Sequence, residues 1–365
     1  MLSQKEIDEQ MVDLDREIIL MLGESVVTKV SKKAWLCKKD SDMEEACKNN
    51  NLVGVQYLIE NDNYYDNNNN DVDSAILFGA KYGMLDIVKL AVEEYGVDIH
   101  GEDNDDEALY IAVENNRLEI VEYLVEKGAD IHTNDNHVLR YSAKGGYLDI
   151  IKFAIRKGNI AKVDIDRALC TAAQYRHLPV VKYLIEEVDA DLHTNDEFPL
   201  VIAAQYRQLD TVRYFISKGA NVNSSVLRTA VTTGRLDVVQ CLVEAKADIH
   251  ANNDEAVCKA VQYGYIDILD YLLANGANVK LALYFSAEYD KLDVMKYLLK
   301  RHDTTIYDNA IIRHAIKGGH LDIIEYVITN SGIYVHNNKW VLRYAVECKC
   351  LDIVKYLLEN GAQYN

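Results

Sequence analysis

The chain has 365 residues, 49% of them hydrophobic and 27% charged, with 25 tyrosines but only 5 phenylalanines and 2 prolines. Its formal charge of −19 sets the field of the whole molecule against nucleic acid and anionic membrane surfaces, and its apolar content is too high for a disordered polymer. The 7 cysteines run from Cys37 to Cys350 without a CxxC pair, which excludes a disulfide framework or a zinc ribbon.

In chain order, residues 1–41 come first. Ile7, Met11, Leu14, Ile18 and Leu22 fall at helical spacing, and a basic cluster (Lys29, Lys32, Lys33) precedes 34-AWLCK-38. The opening MLSQKEIDEQ has no apolar signal core, and no later run approaches the ~18 apolar residues of a membrane span. An intracellular, cytoplasmic protein that does not bind membranes is expected, with residues 1–41 as a helical cap on whatever follows.

From residue 42 onward the chain repeats itself. A phrase of an apolar residue, an acid and two apolar residues starts at Leu85, Leu118, Leu148, Leu209, Leu236, Ile266, Leu292, Leu321 and Leu351, with variant forms at Leu52 and at Leu178, which is followed by Pro179. Successive rungs lie 26 to 33 residues apart, a period that predicts a solenoid of small helix–turn–helix units. In 138-VLRYSAKGG-146, Leu139, Ser142 and Ala143 mark one helical face and two glycines end it; 148-LDIIKFAIRKG-158 then gives a second helix. The acid of each rung falls in a first helical turn, where it favours the helix dipole by ~0.3–1 kcal/mol. Gly128, Gly158, Gly219, Gly276 and Gly361 close second helices, and Asp106, Asn136, Asp166 and Asn309 are candidate N-caps of the first helices. Six residues before each rung stands a small residue: Ala46, Gly79, Ala112, Ser142, Ala172, Ala203, Ala230, Ala260, Ser286, Ala315 and Ala345. That column predicts close helix approach in all eleven units, including the degenerate first.

Two polar stretches interrupt the pattern. In 61-NDNYYDNNNNDVD-73, Asp66, Asn68 and Asn70 have the 1-3-5 spacing of a calcium loop, but Asp71 replaces the required glycine and Leu77 the bidentate glutamate. It reads as an enlarged, solvated loop, and 101-GEDNDDEALY-110 as a solvated tip and helix start. His100, His132, His193, His250 and His336 each follow a second helix. Packed helices lie ~10 Å apart, whereas ligands of one zinc each sit ~2 Å from it. These histidines are therefore assigned to hydrogen-bonded turns, and no metal site is expected. Phosphate-loop, dinucleotide and HExxH signatures are absent, so neither a cofactor nor catalysis is expected.

The ladder, together with 128-GADIH-132, 219-GANVN-223, 246-KADIH-250 and 276-GANVK-280, resembles the ankyrin repeat over residues 42–365. The family's T-P-L-H tetrapeptide is replaced by strings such as 138-VLRY-141, and the linker between units is about three residues short of the family outline. The resemblance implies an all-α solenoid of about eleven units. It also implies stubby hairpin fingers, most reduced at 221-NVNSSVL-227 and 278-NVKLALY-284. This Asn- and Tyr-rich style is similar to the ankyrin proteins of giant amoeba-infecting DNA viruses (mimivirus-like), where host proteins would be the targets. Residues 17-EIILML-22 with Trp35 faintly resemble the F-box, which implies an alternative: a ubiquitin-ligase substrate adaptor that docks the ligase through residues 1–41.

Ankyrin proteins usually hold a partner protein against the hairpin tips and inner helices, the concave side. The resemblance places Tyr82, Tyr175, Tyr206, Tyr263 and Tyr289 in one column facing that side, with Arg176 and Arg207 beside two of them. Tyr and Arg are favoured at binding hot spots, so these seven residues are the candidate partner-binding set of a non-catalytic scaffold, expected to be monomeric. Tyr123, Tyr183, Tyr271, Tyr297 and Tyr356 fall in second helices and are assigned to packing. In the last unit Leu357 and Leu358 are expected to be partly uncovered.

Overall fold

The computed structural model describes residues 39–62, 70–100, 106–302, 309–331 and 339–363, and no strand occurs among them. The expected cap and F-box-like features of residues 1–38, the loop positions Asp66 and Asn68, and His336 lie outside the described residues. The first described helix begins at Lys39.

The helices pair into eleven repeats. The first four are Lys39–Lys48 with Leu52–Asp62, Asn70–Tyr82 with Leu85–Lys89 and its continuation Leu90–Glu94, Glu107–Glu114 with Leu118–Lys127, and Thr133–Gly145 with Leu148–Lys157. Repeats 5 to 8 are Lys162–Gln174 with Leu178–Glu186, Thr194–Gln205 with Leu209–Ser217, Ser224–Thr232 with Leu236–Glu244, and Ala251–Tyr263 with Ile266–Ala274. Repeats 9 to 11 are Val279–Glu288 with Leu292–His302, Asn309–Gly318 with Leu321–Ser331, and Lys339–Glu347 with Leu351–Glu359. Every second helix begins on a rung of the ladder. The chain forms two compact bodies divided between Asp164 and Ile165. Within each, first helices pack on neighbouring first helices and second on second.

The small column explains this packing. All eleven of its residues are buried, and in ten repeats their carbonyls accept the amide five residues on, as in Ala112 O from Arg117 N at 2.8 Å and Ala203 O from Gln208 N at 2.8 Å. That bond is the six-to-one bond of a Schellman ending. It turns the chain sharply from first to second helix and needs a left-handed residue in between. Gly83, Gly146, Gly264 and Gly319 supply it in four of these repeats, whereas Asn50, Asn116, Arg176, Arg207, Asp290 and Lys349 do so with φ between 52° and 70°; Gly234 holds the same place in the repeat of Ala230, whose carbonyl does not take that bond. Two rung positions behind the column, such as Val180 with Val181 or Ile268 with Leu269, are fully buried. Each such aliphatic side chain contributes roughly 1.5–3 kcal/mol by burial.

The short linkers are built from left-handed turns, not hairpin fingers. Asn195, Asp196 and Glu197 have φ of 48°, 59° and 66°, and Asn252, Asn253 and Asp254 have 51°, 59° and 59°. Asn and Asp are the non-glycine residues that visit this region most readily, so the Asn- and Asp-rich style of the linkers has a conformational cause. The linkers are most reduced where the steps are shortest, as expected: Asn223 caps its helix directly, accepting from Val226 N at 3.1 Å, and Asn278 accepts from Lys280 N at 2.9 Å. Repeat 2 carries one residue more between rung and histidine than repeat 3. The insertion is absorbed as the π-helical turn Leu90–Glu94, a common fate for an extra residue in a helix. Gly158 closes its helix in an extended conformation (φ −106°, ψ 145°), unlike the left-handed Gly128 and Gly361. In the last repeat Leu357 is fully buried, and the uncovered surface belongs to Leu351 and Leu358, 78% and 51% exposed.

Two consequences can be measured. Ala203 has no exposed surface, so Ala203→Leu should overpack the joint and cost about 1–3 kcal/mol in urea denaturation; an unchanged midpoint would show that the column does not set helix approach. His137 is buried between the rings of Tyr110 and Tyr141, at 4.1 and 4.0 Å, and burial pushes its imidazole down to about 4. The neutral ring therefore contributes stability above the unfolded value near 6.5 that is lost as pH falls toward 4, up to about 3 kcal/mol. His137→Phe should flatten the acid limb of a stability-versus-pH profile over that window.

Candidate interaction surface

Many of the described tyrosines and histidines join one repeat to the next. In the second helices, the Tyr123 hydroxyl donates to Glu93 Oε1 at 3.2 Å while Lys127 Nζ reaches the same oxygen at 2.9 Å. Tyr214 and Lys218 meet Glu186 at 3.1 and 2.8 Å, and Tyr297 and Arg301 meet Asp270 in the same manner. Each base lies one helical turn past the tyrosine and over its ring. Lys127 and Lys218 hold their carboxylates below the usual range, whereas burial lifts the Tyr123 and Tyr214 hydroxyls to about 12. The assignment of second-helix tyrosines to packing is thus met at Tyr123 and Tyr297, with a polar end added.

A second joint explains the A-D-I-H phrase. The aspartate accepts the histidine's own amide in a tight turn, as in Asp98 to His100 at 3.0 Å and Asp248 to His250 at 2.9 Å. The imidazole Nδ1 then donates forward: His100 to Asp106 and His250 to Asp254, both at 2.8 Å, His132 to Asn136 at 2.8 Å, and His193 to Glu197 at 2.6 Å. The forward residue reaches the next repeat in turn. Asp106 accepts Asp130 N at 3.1 Å, Asp166 accepts Asp191 N at 2.7 Å, and Glu197 accepts Asn221 Nδ2 at 2.6 Å. These residues correct the capping assignment. Asp106 precedes its helix in a left-handed conformation and makes no cap bond, while Asn136 and Asp166 lie inside helices. Asp106 and Asp166 instead accept amides of the linker that leads to the next repeat, and Asn136 Nδ2 donates to Asp164 Oδ2 at 2.8 Å. The turn role given to His100, His132, His193 and His250 is what the geometry shows. Among the described residues no three His, Cys, Asp or Glu side chains come close enough to hold a metal ion.

A third joint had no signal in the sequence. The residue just before a rung bonds the end of the preceding repeat's first helix: Arg117 to Lys81 O at 3.3 Å, Tyr147 to Glu114 O at 3.1 Å, Gln208 to Gln174 O at 3.3 Å, His320 to Glu288 O at 2.8 Å and Cys350 to Ile316 O at 3.1 Å. Five different side chains perform one task, so no shared letter marks the column.

The seven candidate partner-binding residues divide against this background. Tyr82 is half-buried and donates to Glu44, which also takes Lys81 Nζ at 2.8 Å. Tyr289 is half-buried against Phe285 and accepts from Cys258 Sγ at 3.5 Å; that contact and burial push its hydroxyl to about 12. Both are fitted into joints. Tyr175, Tyr206 and Tyr263 remain 42%, 43% and 50% exposed in the body that begins at Ile165. Gln174 Nε2 donates to the Tyr206 hydroxyl at 2.8 Å, which ties repeats 5 and 6 along the column, and Tyr263 stacks on Tyr265 at 5.7 Å. Arg176 and Arg207 are exposed beside the first two, and Arg207 donates to Thr233 O at 3.0 Å.

Comparison with known proteins agrees with this geometry. The profile of the family described as ankyrin repeats (three copies) matches residues 43–135, 139–226, 200–282 and 283–365. A putative ankyrin repeat protein (R784) of Acanthamoeba polyphaga mimivirus is 25% identical over 137 residues, covering 31% of this chain and 32% of that protein. Alpha-latrotoxin-Lh1a of Latrodectus hasselti is 30% identical over 87 residues, 22% of this chain and 6% of the toxin. The matched stretches thus span about a third or less of these relatives. No described helix is long and apolar enough to cross a membrane.

The histidine joints make a direct prediction. Asp106→Ala leaves the Asp130 amide and His100 without their acceptor, so it should cost about 1–3 kcal/mol in urea denaturation; a loss below about 0.5 kcal/mol would mean that the clasp is incidental.

Proposed function

Because the chain belongs to the ankyrin-repeat family, whose repeats generally mediate protein–protein interaction as non-catalytic scaffolds, we propose that it binds a partner protein through the exposed face of its first helices. The observation that carries this reading is the exposure of Tyr175, Tyr206 and Tyr263, whereas Tyr82 and Tyr289 of the same column are half-buried. Aromatic anchors of this kind supply large, stiff contacts at low entropic cost. Similarity to a mimivirus protein supports a viral setting, in which the partner would be a host protein met in the host cytoplasm.

The test is a capture experiment from amoebal lysate with the full chain and a Tyr175→Ala, Tyr206→Ala, Tyr263→Ala variant. None of the three side chains is buried, so helicity by circular dichroism should match the parent. Loss of a saturable partner from the folded variant is the expected result. Equal capture by both proteins would move the working surface elsewhere.

A further inference from the structure

The surface around Tyr175 and Tyr206 is specialised in charge. Repeats 5 and 6 share the string Ala-Ala-Gln-Tyr-Arg, at 172–176 and 203–207. Its arginines occupy the left-handed turn position that glycine fills in five other repeats: φ is 70° at Arg176 and 63° at Arg207. A side chain there costs of order 1 kcal/mol or more against glycine. Arg207 recovers part of this through its bond to Thr233 O. Arg176 is exposed and makes no comparable bond among the described residues.

The neighbouring positions add to the positive field. Residues 174–177, 205–208, 232–235 and 262–265 read Gln-Tyr-Arg-His, Gln-Tyr-Arg-Gln, Thr-Thr-Gly-Arg and Gln-Tyr-Gly-Tyr, with no acid among them. The rung after Arg176 carries Pro179 where nine other rungs carry an acid. Asp237 is occupied by Arg235, whose Nε lies 2.9 Å from its Oδ1. Asp210 and Asp267 stand in the first turns of their second helices, past the turns that present the arginines. In a chain of net charge −19, four consecutive repeats therefore present a strip of arginine and tyrosine without acids at their turns.

We propose that this strip binds an acidic, extended segment of the partner protein, with carboxylates meeting Arg176 and Arg207 and the intervening residues lying on Tyr175 and Tyr206. The inference rests on the reading of the tyrosine column as the working surface. Neighbouring first helices lie ~10 Å apart, and a polyproline-type segment advances ~9 Å per turn of three residues. Acids at every third position of such a segment fall on one side at the spacing of the two arginines. Flat tyrosine faces suit this backbone, which carries no internal hydrogen bonds and loses little entropy on docking. A nucleic acid strand would also suit alternating Tyr and Arg, but its continuous charge meets the repulsion of the whole molecule.

The test is fluorescence anisotropy with a labelled peptide of repeated Glu-Pro-Pro, a Gln-Pro-Pro control and an oligothymidylate, against the full chain. The expected result is saturable binding of the Glu peptide that weakens as salt rises from about 50 to about 300 mM, with no binding of the Gln peptide. Arg176→Gly with Arg207→Gly should weaken the Glu peptide at least about tenfold. Arg176→Gly alone should leave the thermal midpoint equal or higher, since glycine relieves the turn. Equal binding of the Gln peptide, an unchanged affinity in the double variant, tighter binding of the oligothymidylate or a lowered midpoint for Arg176→Gly would each overturn the proposal. If the Glu peptide fails while the tyrosine variant still loses its captured protein, the tyrosine column stands and only the acidic partner is rejected.

Discussion

Everything in this chain depends on how closely two first helices can approach. A pair of short helices cannot enclose a core, so each repeat must bury its apolar face on the next. The eleven small residues make that possible, because a larger side chain at Ala203 or Ala260, both without exposed surface, would push the neighbouring helix away. Ten of them also accept the Schellman bond that ends the first helix. One position therefore fixes both the distance between repeats and the point where the chain reverses. Its near-invariance within the chain follows from carrying two tasks.

Close approach also brings polar backbone into dry surroundings, and the composition reflects how that is handled. Short linkers leave amides such as those of Asp130 and Asp191 facing the preceding repeat, where Asp106 and Asp166 accept them. The histidines orient three of those forward acceptors that are carboxylates, at Asp106, Glu197 and Asp254. Tyrosine replaces phenylalanine because the second helices need a ring that packs and a hydroxyl that reaches an acid, as at Tyr123 and Tyr214. Much of what looks like chemistry in the sequence (histidine, aspartate, tyrosine) is thus the hydrogen bonding that lets thin repeats touch.

The fold was legible because it is periodic. The rung and the small column recur in register, and repetition makes a weak local signal strong; even the degenerate first repeat is recognised by Ala46. Joints that use one residue type, such as the A-D-I-H histidines, could be given a turn role for the same reason. What stayed hidden was any task shared by unlike residues. Arg117, Tyr147, Gln208, His320 and Cys350 all bond the preceding helix, but a column of five different letters has no pattern. The misread caps at Asp106, Asn136 and Asp166 have a related cause: a carboxylate or amide before a helix satisfies its own amides or its neighbour's, and local sequence does not choose between them. Likewise, Tyr82 and Tyr289 share a column with Tyr175 but are half-buried in joints, because exposure depends on the side chain one repeat away.

That last distinction bears on function. Tyrosines and arginines in this molecule have a structural use readily available to them, and most of those placed above take it. Tyr175 and Tyr206 keep about two-fifths of their surface in water, Tyr206 even with its hydroxyl bonded by Gln174, and each stands beside an arginine held in a backbone conformation that suits glycine. At Tyr175 and Arg176 the departure is doubled, since the adjacent rung also gives up its helix-dipole acid for Pro179. Local rules broken together at one place, in a chain that follows them elsewhere, are where a binding surface is expected. The partner's charge then follows from what the strip lacks: with acids absent from its turns and arginines standing out from a molecule of net charge −19, the complementary segment is the one that brings its own carboxylates.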